Sequence, residues 1–372
     1  MTPTFLKLGD VVDVLSGFAF KSEFFNDSDG LPVVRIRDVV RGYTDTYYTG
    51  PYTEQFVVRD GDILIGMDGN FNAAKWRGGR ALLNQRVCKV TARTSLVDEA
   101  YLFHYLPIAL RRIEDATPFV TVKHLSAGDL REERIPIPPL AEQRRIAAIL
   151  DKADVLRTKR REALAELDRL VQSIFVEMFG EPLSNPKGWP QRMLKELGAV
   201  STGGTPPSAK EGMFGGDIPF VTPGDLESGQ AVKRWLSEAG AQQVGTVRAG
   251  AALVCCIGTI GKVSMASTRS AFNQQLNAVE WRRDLIDDRF GLAVLRFFKA
   301  TMAALGASTT VPILKKSSFE KLSIPVPPRS LQMEFSRRLS EVEKLQQTQH
   351  KALQANATLF ESLQHRAFQG DL

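Results

Sequence analysis

Most of this chain can be laid over itself. A shift of 189 positions places Gly9 on Gly198, Gly61 on Gly250, Leu64 on Leu253 and Gly69 on Gly258. The same shift places Asn84-Gln85 on Asn273-Gln274, and Ile135-Pro136-Ile137-Pro138-Pro139 on Ile324-Pro325-Val326-Pro327-Pro328. It continues through Gln143 and Gln332, Leu150 and Leu339, Leu164 and Leu353, Ser173 and Ser362, and Phe179 and Phe368. The register slips to 187 where Asp38 meets Asp225, as small insertions in surface loops would cause. Two copies are too few for a solenoid. The chain must therefore fold as two homologous modules in tandem, and 372 residues are enough to give each a core of its own.

Each module opens with short apolar runs broken by glycine. Val33-Val34-Arg35-Ile36-Arg37, Asp62-Ile63-Leu64-Ile65 and Val87-Cys88-Lys89-Val90 read as strands in the first. Ile218–Val221, Ala252–Ile257 and Leu276–Glu280 are their counterparts in the second. A helix is expected over Glu99–Arg112 and over Arg289–Ala304, then a final strand leading into the prolines. The I-P-x-P-P run predicts a stiff extended elbow, because successive prolines neither join a ladder nor continue a helix. Beyond it apolar residues recur every three or four positions. They run from Ile146 through Leu150, Ala153, Leu164, Val171 and Met178 in one copy. In the other they run from Phe335 through Leu339, Val342, Leu353, Leu363 and Ala367. No glycine or proline interrupts either stretch before Gly180 and Gly370. About 40 helical residues at about 1.5 Å each make a rod of roughly 60 Å. Two such rods bury their apolar seams best against each other, as an antiparallel pair.

Signs of chemistry are missing. There is no G-x-G-x-x-G after a strand and no P-loop, and Gly258-Thr259-Ile260-Gly261-Lys262 reads as a tight turn between strands. His104, His124, His350 and His365 form no H-x-x-x-H pair, and Cys88, Cys255 and Cys256 have no C-x-x-C spacing. These sequences predict neither a metal site nor a disulfide framework. Glu23, Asp27 and Asp29 read as a solvated turn. No N-P-P-Y or D-P-P-Y marks an amino-methyltransferase, and no P-D…E-x-K spacing marks a nuclease. The Met1–Lys7 segment lacks the apolar stretch of a signal peptide, and the apolar run at Ala251–Ile257 is too short to span a bilayer.

Signs of polyanion binding are better. Lys and Arg number 48 against 42 Asp and Glu, a mild excess of +6 that suits a nucleic-acid partner. Arg35 and Arg37 alternate on an expected strand and so would share a face. Lys75, Arg77 and Arg80 lie with Trp76 and three glycines in an expected mobile loop. Gln85-Arg86 and Gln274-Gln275 follow the recurring asparagines. Amides can bond adenine in two places and arginine can do so to guanine, but a buried amide tying strands together explains the recurrence equally well. Lys123-His124-Leu125 and Leu314-Lys315-Lys316 precede the proline runs and could meet phosphate. Thr205 and Lys262, in glycine-containing turns, complete the candidate set.

One set of motifs has a recognisable family likeness. It comprises Leu125-Ser126, Leu130, Ile135–Pro139 and Leu140-Ala141-Glu142-Gln143 before a long helix. It also includes the opening Leu8-Gly9-Asp10, the loop Ser201–Pro206, and the ending from Leu359-Phe360 to Phe368, Gly370, Asp371 and Leu372. This set resembles the specificity subunit of type I restriction-modification systems over nearly the whole chain. One departure is Arg329-Ser330-Leu331-Gln332, where the second copy keeps the glutamine and loses the glutamate.

The resemblance implies an α+β fold. Two tandem mixed α/β target-recognition domains, residues 1–139 and 181–328, would be separated by two long antiparallel helices, residues 140–180 and 329–372, forming a coiled-coil spacer. It implies a non-catalytic, cytoplasmic subunit without a cofactor. Each domain would read one half of a bipartite double-stranded DNA target across a fixed gap. The helices would dock two methyltransferase subunits, which carry S-adenosylmethionine, and through them motor-nuclease subunits. Arg35 and Arg37 correspond to Thr222 and Gly224, so two different half-sequences are expected. A duplicated coiled-coil adaptor without DNA, or a self-contained DNA methylase or nuclease, are the competing classes.

Overall fold

The computed structural model describes residues 4–117, 123–207, 209–227, 231–307 and 311–372. The chain forms two compact units. One comprises Met1–Glu162 and His350–Leu372, the other Ala163–Gln349. In both, strands and helices are mixed, as the sequence predicts.

The first unit is built on a four-stranded antiparallel sheet in the order Val12–Ser16, Val87–Ala92, Ile63–Gly66, Ala73–Lys75. Val14 pairs with Val90, and Val90 with Ile63. The second unit repeats this sheet as Gly198–Thr202, Leu276–Trp281, Ala252–Cys255, Val263–Met265. Val200 pairs with Val279, and Val279 with Ala252. Strands Ile63–Gly66 and Ala252–Cys255 are buried along their whole length, so both of their faces carry apolar side chains. A second sheet adds five short strands in the first unit and three in the second. Each includes one parallel pair, Leu31–Val34 with Ala81–Leu83 and Phe214–Val221 with Ala271–Phe272.

Three local expectations are corrected. The run Val33–Arg37 is not one strand. The strand ends at Val34, and a short helix, Ile36–Arg41, follows. Fully buried Asp38 accepts the Arg35 N–H at 3.1 Å, a local capping bond that competes with strand pairing. Arg35 and Arg37 therefore do not share a strand face. The helix expected over Arg289–Ala304 is two, Asp288–Phe297 and Lys299–Leu305, broken at buried Phe298. The prolines also do join ladders. Pro136 lies opposite Phe5, and Pro325 opposite Gln191. Both ribbons have only two strands, and an edge strand tolerates a residue without an N–H.

After each proline run a long helix begins, Leu140–Phe179 with 40 residues and Arg329–Gln369 with 41. In the first unit the start of the first helix packs beside the end of the second. Ile146 and Leu150 share a core with Ala367, Phe368, Tyr101 and Tyr105, and the Arg157 guanidinium stands 4.5 Å from the Phe360 ring centre. In the second unit the end of the first helix packs beside the start of the second. Phe175 and Phe179 meet Phe335 and Phe290 at ring separations of 4.9 to 5.6 Å. Within each unit the two helical segments are therefore antiparallel.

Each long helix is tied to its unit by a fully buried glutamine. The Gln143 amide donates to the carbonyls of Pro138 (2.8 Å) and Leu96 (3.1 Å) and accepts the Asp98 N–H (2.8 Å). Gln332 repeats this with Pro327 (2.9 Å), Leu285 (3.0 Å) and the Asp287 N–H (2.8 Å). Asp98 and Asp287 in turn cap the helices at Glu99 and Asp288. One side chain thus joins the proline ribbon, a helix cap and the long helix. Every polar atom it buries is paired, as a buried amide requires.

Candidate nucleic-acid interface

The candidate residues converge best where three backbone segments meet. In the first unit the Met67 N–H donates to the Arg86 carbonyl (2.9 Å), the Leu125 N–H to the Met67 carbonyl (2.7 Å), and the Gly69 N–H to the Lys123 carbonyl (3.0 Å). Asp68 lies opposite His124. In the second unit Cys256 donates to Gln275 (2.8 Å), Leu314 to Cys256 (2.8 Å) and Gly258 to Pro312 (3.1 Å), and Ile257 lies opposite Ile313. Every position follows the 189-residue offset. Gly69 and Gly258 turn at φ of +75° and +80°, a conformation glycine adopts without a Cβ penalty. The backbone junction is the same in both units.

Its side chains differ. In the first unit Arg86 Nε is 3.5 Å from Asp68 Oδ2, and His124 Nδ1 is 2.5 Å from Asp68 Oδ1. Asn84 accepts the Gln85 N–H at 2.9 Å, leaving the Gln85 side chain at the surface. In the second unit Asn273 is buried and holds Gln275. It accepts the Gln275 N–H (3.1 Å) and donates to its side-chain carbonyl (3.0 Å). The Thr205 hydroxyl donates to Gln274 Oε1 at 2.6 Å. The asparagine of each pair thus ties its own turn, and Gln85 and Gln274 are exposed beside it.

The other candidates lie around this junction or apart from it. Ile36 packs against Gly66, which sets the short helix carrying Arg37 beside the junction, with Arg35 at its cap. Arg35 stacks 5.2 Å from the Phe25 ring centre, and Arg37 is exposed 3.7 Å from Asp38. Arg77 is exposed, its Cβ near Gly42. Lys75 is on a strand rather than in a loop, beside Phe103 and Glu99. Arg80 is held by Glu54 at 2.6 Å and by the Tyr52 ring, and that hydrogen bond raises its pKa. The mobile loop expected here is instead anchored by Trp76, which is buried and donates to the Gly79 carbonyl at 2.7 Å. Lys123 donates to the Glu114 carbonyl. Lys262 closes the turn between Ala252–Cys255 and Val263–Met265, its carbonyl accepting the Cys255 N–H at 2.8 Å. Lys315 is exposed at the start of the helix Lys316–Phe319, and Lys316 pairs with Glu320 at 3.4 Å. Among the described residues no group of three or more His, Cys, Asp or Glu could hold a metal, and no helix is long and apolar enough to cross a membrane.

The sequence profile of the type I restriction modification DNA specificity domain matches residues 4–167 and again 186–357. The chain belongs to that family. The specificity subunit of the type I restriction enzyme EcoBI from Escherichia coli is 44% identical over 168 residues, which are 45% of this chain and 35% of that subunit. A putative type I specificity subunit from Haemophilus influenzae, S.HindORF215P, is 24% identical over 326 residues, covering 79% and 74% of the two chains. The matches to the first relatives thus span about a third of their length, 35% and 34%. Two solved structures share the fold across both full chains. The S subunit of a type I restriction-modification system from M. genitalium has a TM-score of 0.57 at 15% identity and 99% coverage of each chain. A chain from a study of complex assembly in the type I R-M system has a TM-score of 0.56 at 20% identity, with 100% and 98% covered.

Against this specificity-domain fold, sequence reasoning missed Asp68 and met His124 only as the neighbour of Lys123 in a segment that could contact phosphate. Neither sits in a basic run. The 189-residue offset does carry a signal, because it places both against isoleucines, Ile257 and Ile313. A polar residue matched to an apolar one across a duplication marks a position whose chemistry has diverged.

Proposed function

We propose that this chain is the DNA sequence-specificity subunit of a type I restriction-modification complex. Each unit reads one half of a bipartite double-stranded target. The observation that carries this reading is the recurring junction, one backbone frame presenting different hydrogen-bonding groups in each unit, as two readers of different sequences require. The paired long helices hold the readers at a fixed gap. They also dock two methyltransferase subunits, which carry S-adenosylmethionine, and motor-nuclease subunits join through them. Apolar side chains exposed on those helices support the docking role. They are Val155, Leu156 and Leu359 in the first unit and Leu170, Val176, Met333 and Leu345 in the second. A reader with two equivalent halves offers two equivalent partner sites. The chain supplies the address and its partners the chemistry, in the cytoplasm.

Titrating duplex DNA with the purified chain at increasing salt tests this directly. Affinity should fall linearly in log–log form, with a slope of about −0.9 per phosphate contact. The chain alone should neither bind S-adenosylmethionine nor methylate DNA. Absence of salt-dependent binding would favour a protein adaptor, and methylation by the chain alone would favour a self-contained enzyme.

A further inference from the structure

The two junctions differ in a chemically specific way. In the first unit Arg86 is half exposed (53%) and lies above the more buried Asp68 (24%). One carboxylate oxygen faces Arg86 Nε and the other faces His124 Nδ1. His124 Nδ1 lies 2.5 Å from Asp68 Oδ1 and 3.4 Å from Arg86 Nη1, so the three side chains form one cluster. Asp68 is then a bracket for both side chains. Asp68 faces the guanidinium at Nε, His124 Nδ1 lies beside Nη1, and Nη2 with the outer Nη1 hydrogen is left to donate outward. A planar pair of donors matches two adjacent acceptors in one plane, and the O6 and N7 of guanine are such a pair in the major groove.

In the second unit the same three positions are Ile257, Gln275 and Ile313, and no charge remains. Gln275 is oriented through both its backbone N–H and its side-chain carbonyl by buried Asn273. That carbonyl has a second lone pair, and the amide nitrogen points to no other described partner. Ile313, opposite Ile257, is 46% exposed. An oriented amide beside an exposed aliphatic group matches the N6 and N7 of adenine and the neighbouring thymine methyl.

We infer that the first unit reads a guanine through Arg86, bracketed by Asp68 and His124, and that the second reads an A·T pair through Gln275 with Ile313 against the methyl group. This rests on the DNA-reading function proposed above. Arg86 and Gln275 touch the base, while Asp68 and Asn273 are positioning residues.

The experiment uses the assembled specificity–methyltransferase complex and its target duplex. 7-Deazaguanine, which lacks the N7 acceptor, replaces each guanine of the target in turn. For the wild-type complex one position, confined to one half of the target, should weaken binding about 5- to 150-fold, the range of a good bidentate contact. Arg86→Gln should lose sensitivity at that position alone, with the other half-sequence and the gap unchanged. Where Arg86→Gln binds too weakly to measure, Arg86→Lys keeps the charge and should likewise lose the sensitivity. Asp68→Asn should reduce it. Gln275→Ala should relax one A·T position in the other half. The inference is overturned if no guanine responds, if the Arg86 variants keep the response, or if they weaken binding to every sequence equally with a shallower salt slope, which is the signature of a phosphate contact. A wild-type complex that prefers no split target defeats the proposed function instead.

Discussion

The two units agree in the frame that ties their long helices and differ in core filling and at the rim. Gln143 and Gln332 make the same three hydrogen bonds to equivalent partners, and Asp98 and Asp287 cap equivalent helices. A change at either glutamine strands buried groups, so the frame has few alternatives. The cores beneath are filled by different means. Tyr101 and Tyr105 in the first unit correspond to Phe290 and Val294 in the second. The tyrosine hydroxyls donate to the carbonyls of Pro136 and Arg134 in the proline ribbon. Burial pushes both phenols upward, Tyr105 to about 12. The second unit uses a wholly apolar cluster centred on Phe175. At the junction, Asp68, Arg86 and His124 face Ile257, Gln275 and Ile313 across the duplication. A duplicated fold can therefore hold its helices in one way and present two chemistries.

The largest expected effect concerns the cores. Phe175→Ala should destabilise the second unit by about 3–5 kcal/mol, the range for deleting a fully buried aromatic. Phe368→Ala, at a less buried position, should cost the first unit less. Thiol labelling tells the units apart, because Cys88 lies in one and Cys255 and Cys256 in the other. Burial raises the Cys88 and Cys256 thiols to about 12, so neither should react until its own unit opens. Early labelling of Cys88 in Phe175→Ala would break the assignment.

Next come the clamps. Gln143→Leu and Gln332→Leu each strand two carbonyls and one N–H, and each should cost about 3 kcal/mol in urea unfolding. Similar costs would sharpen the claim of a common frame. A cost at one position alone would break it. Smaller still is the exchange of tyrosine and phenylalanine. Tyr101→Phe leaves the Pro136 carbonyl short of a donor and should cost about 1 kcal/mol. Phe290→Tyr should also destabilise, since it introduces a hydroxyl among the packed rings of Phe175 and Phe179.

The smallest expected effect is a pH dependence. Hydrogen bonds from Arg145 lower the Glu142 pKa, and bonds from Arg337 and Arg338 lower that of Glu334 to about 2. Depressed carboxylates contribute stability above their unfolded value, 4.5, that is lost as pH falls toward the folded value. Both groups are half-exposed, so screening by solvent keeps the contribution small. The urea midpoint should be flat from neutral to mildly acid pH and decline below that, with a shallower decline in Glu334→Gln. A decline unchanged by that substitution would place the acid sensitivity elsewhere.

Much of this architecture was legible because it depends on periodicity and punctuation. The 189-residue offset, the proline runs and the glycine-free stretches up to Gly180 and Gly370 gave two modules and two long helices. What escaped depends on side chains meeting across the fold. Asp38 turned an expected strand into a capped helix through one local bond. Trp76 read as a loop aromatic because its core neighbours, Val34, Leu64 and Leu83, are distant in sequence. Lys75, Arg80 and Lys123 read as free cations, yet each has an internal partner. Asp68 and His124 acquire meaning only when separate turns are brought together.

The central claim is that this chain supplies the address for a methylation complex. Its most direct test is the methylome of a host expressing the chain together with a type I methyltransferase subunit, compared with a host lacking only this chain. The account predicts a split motif of two different half-sequences across one fixed gap, present in the first host and gone from the second. Methylation unchanged by loss of the chain would contradict it.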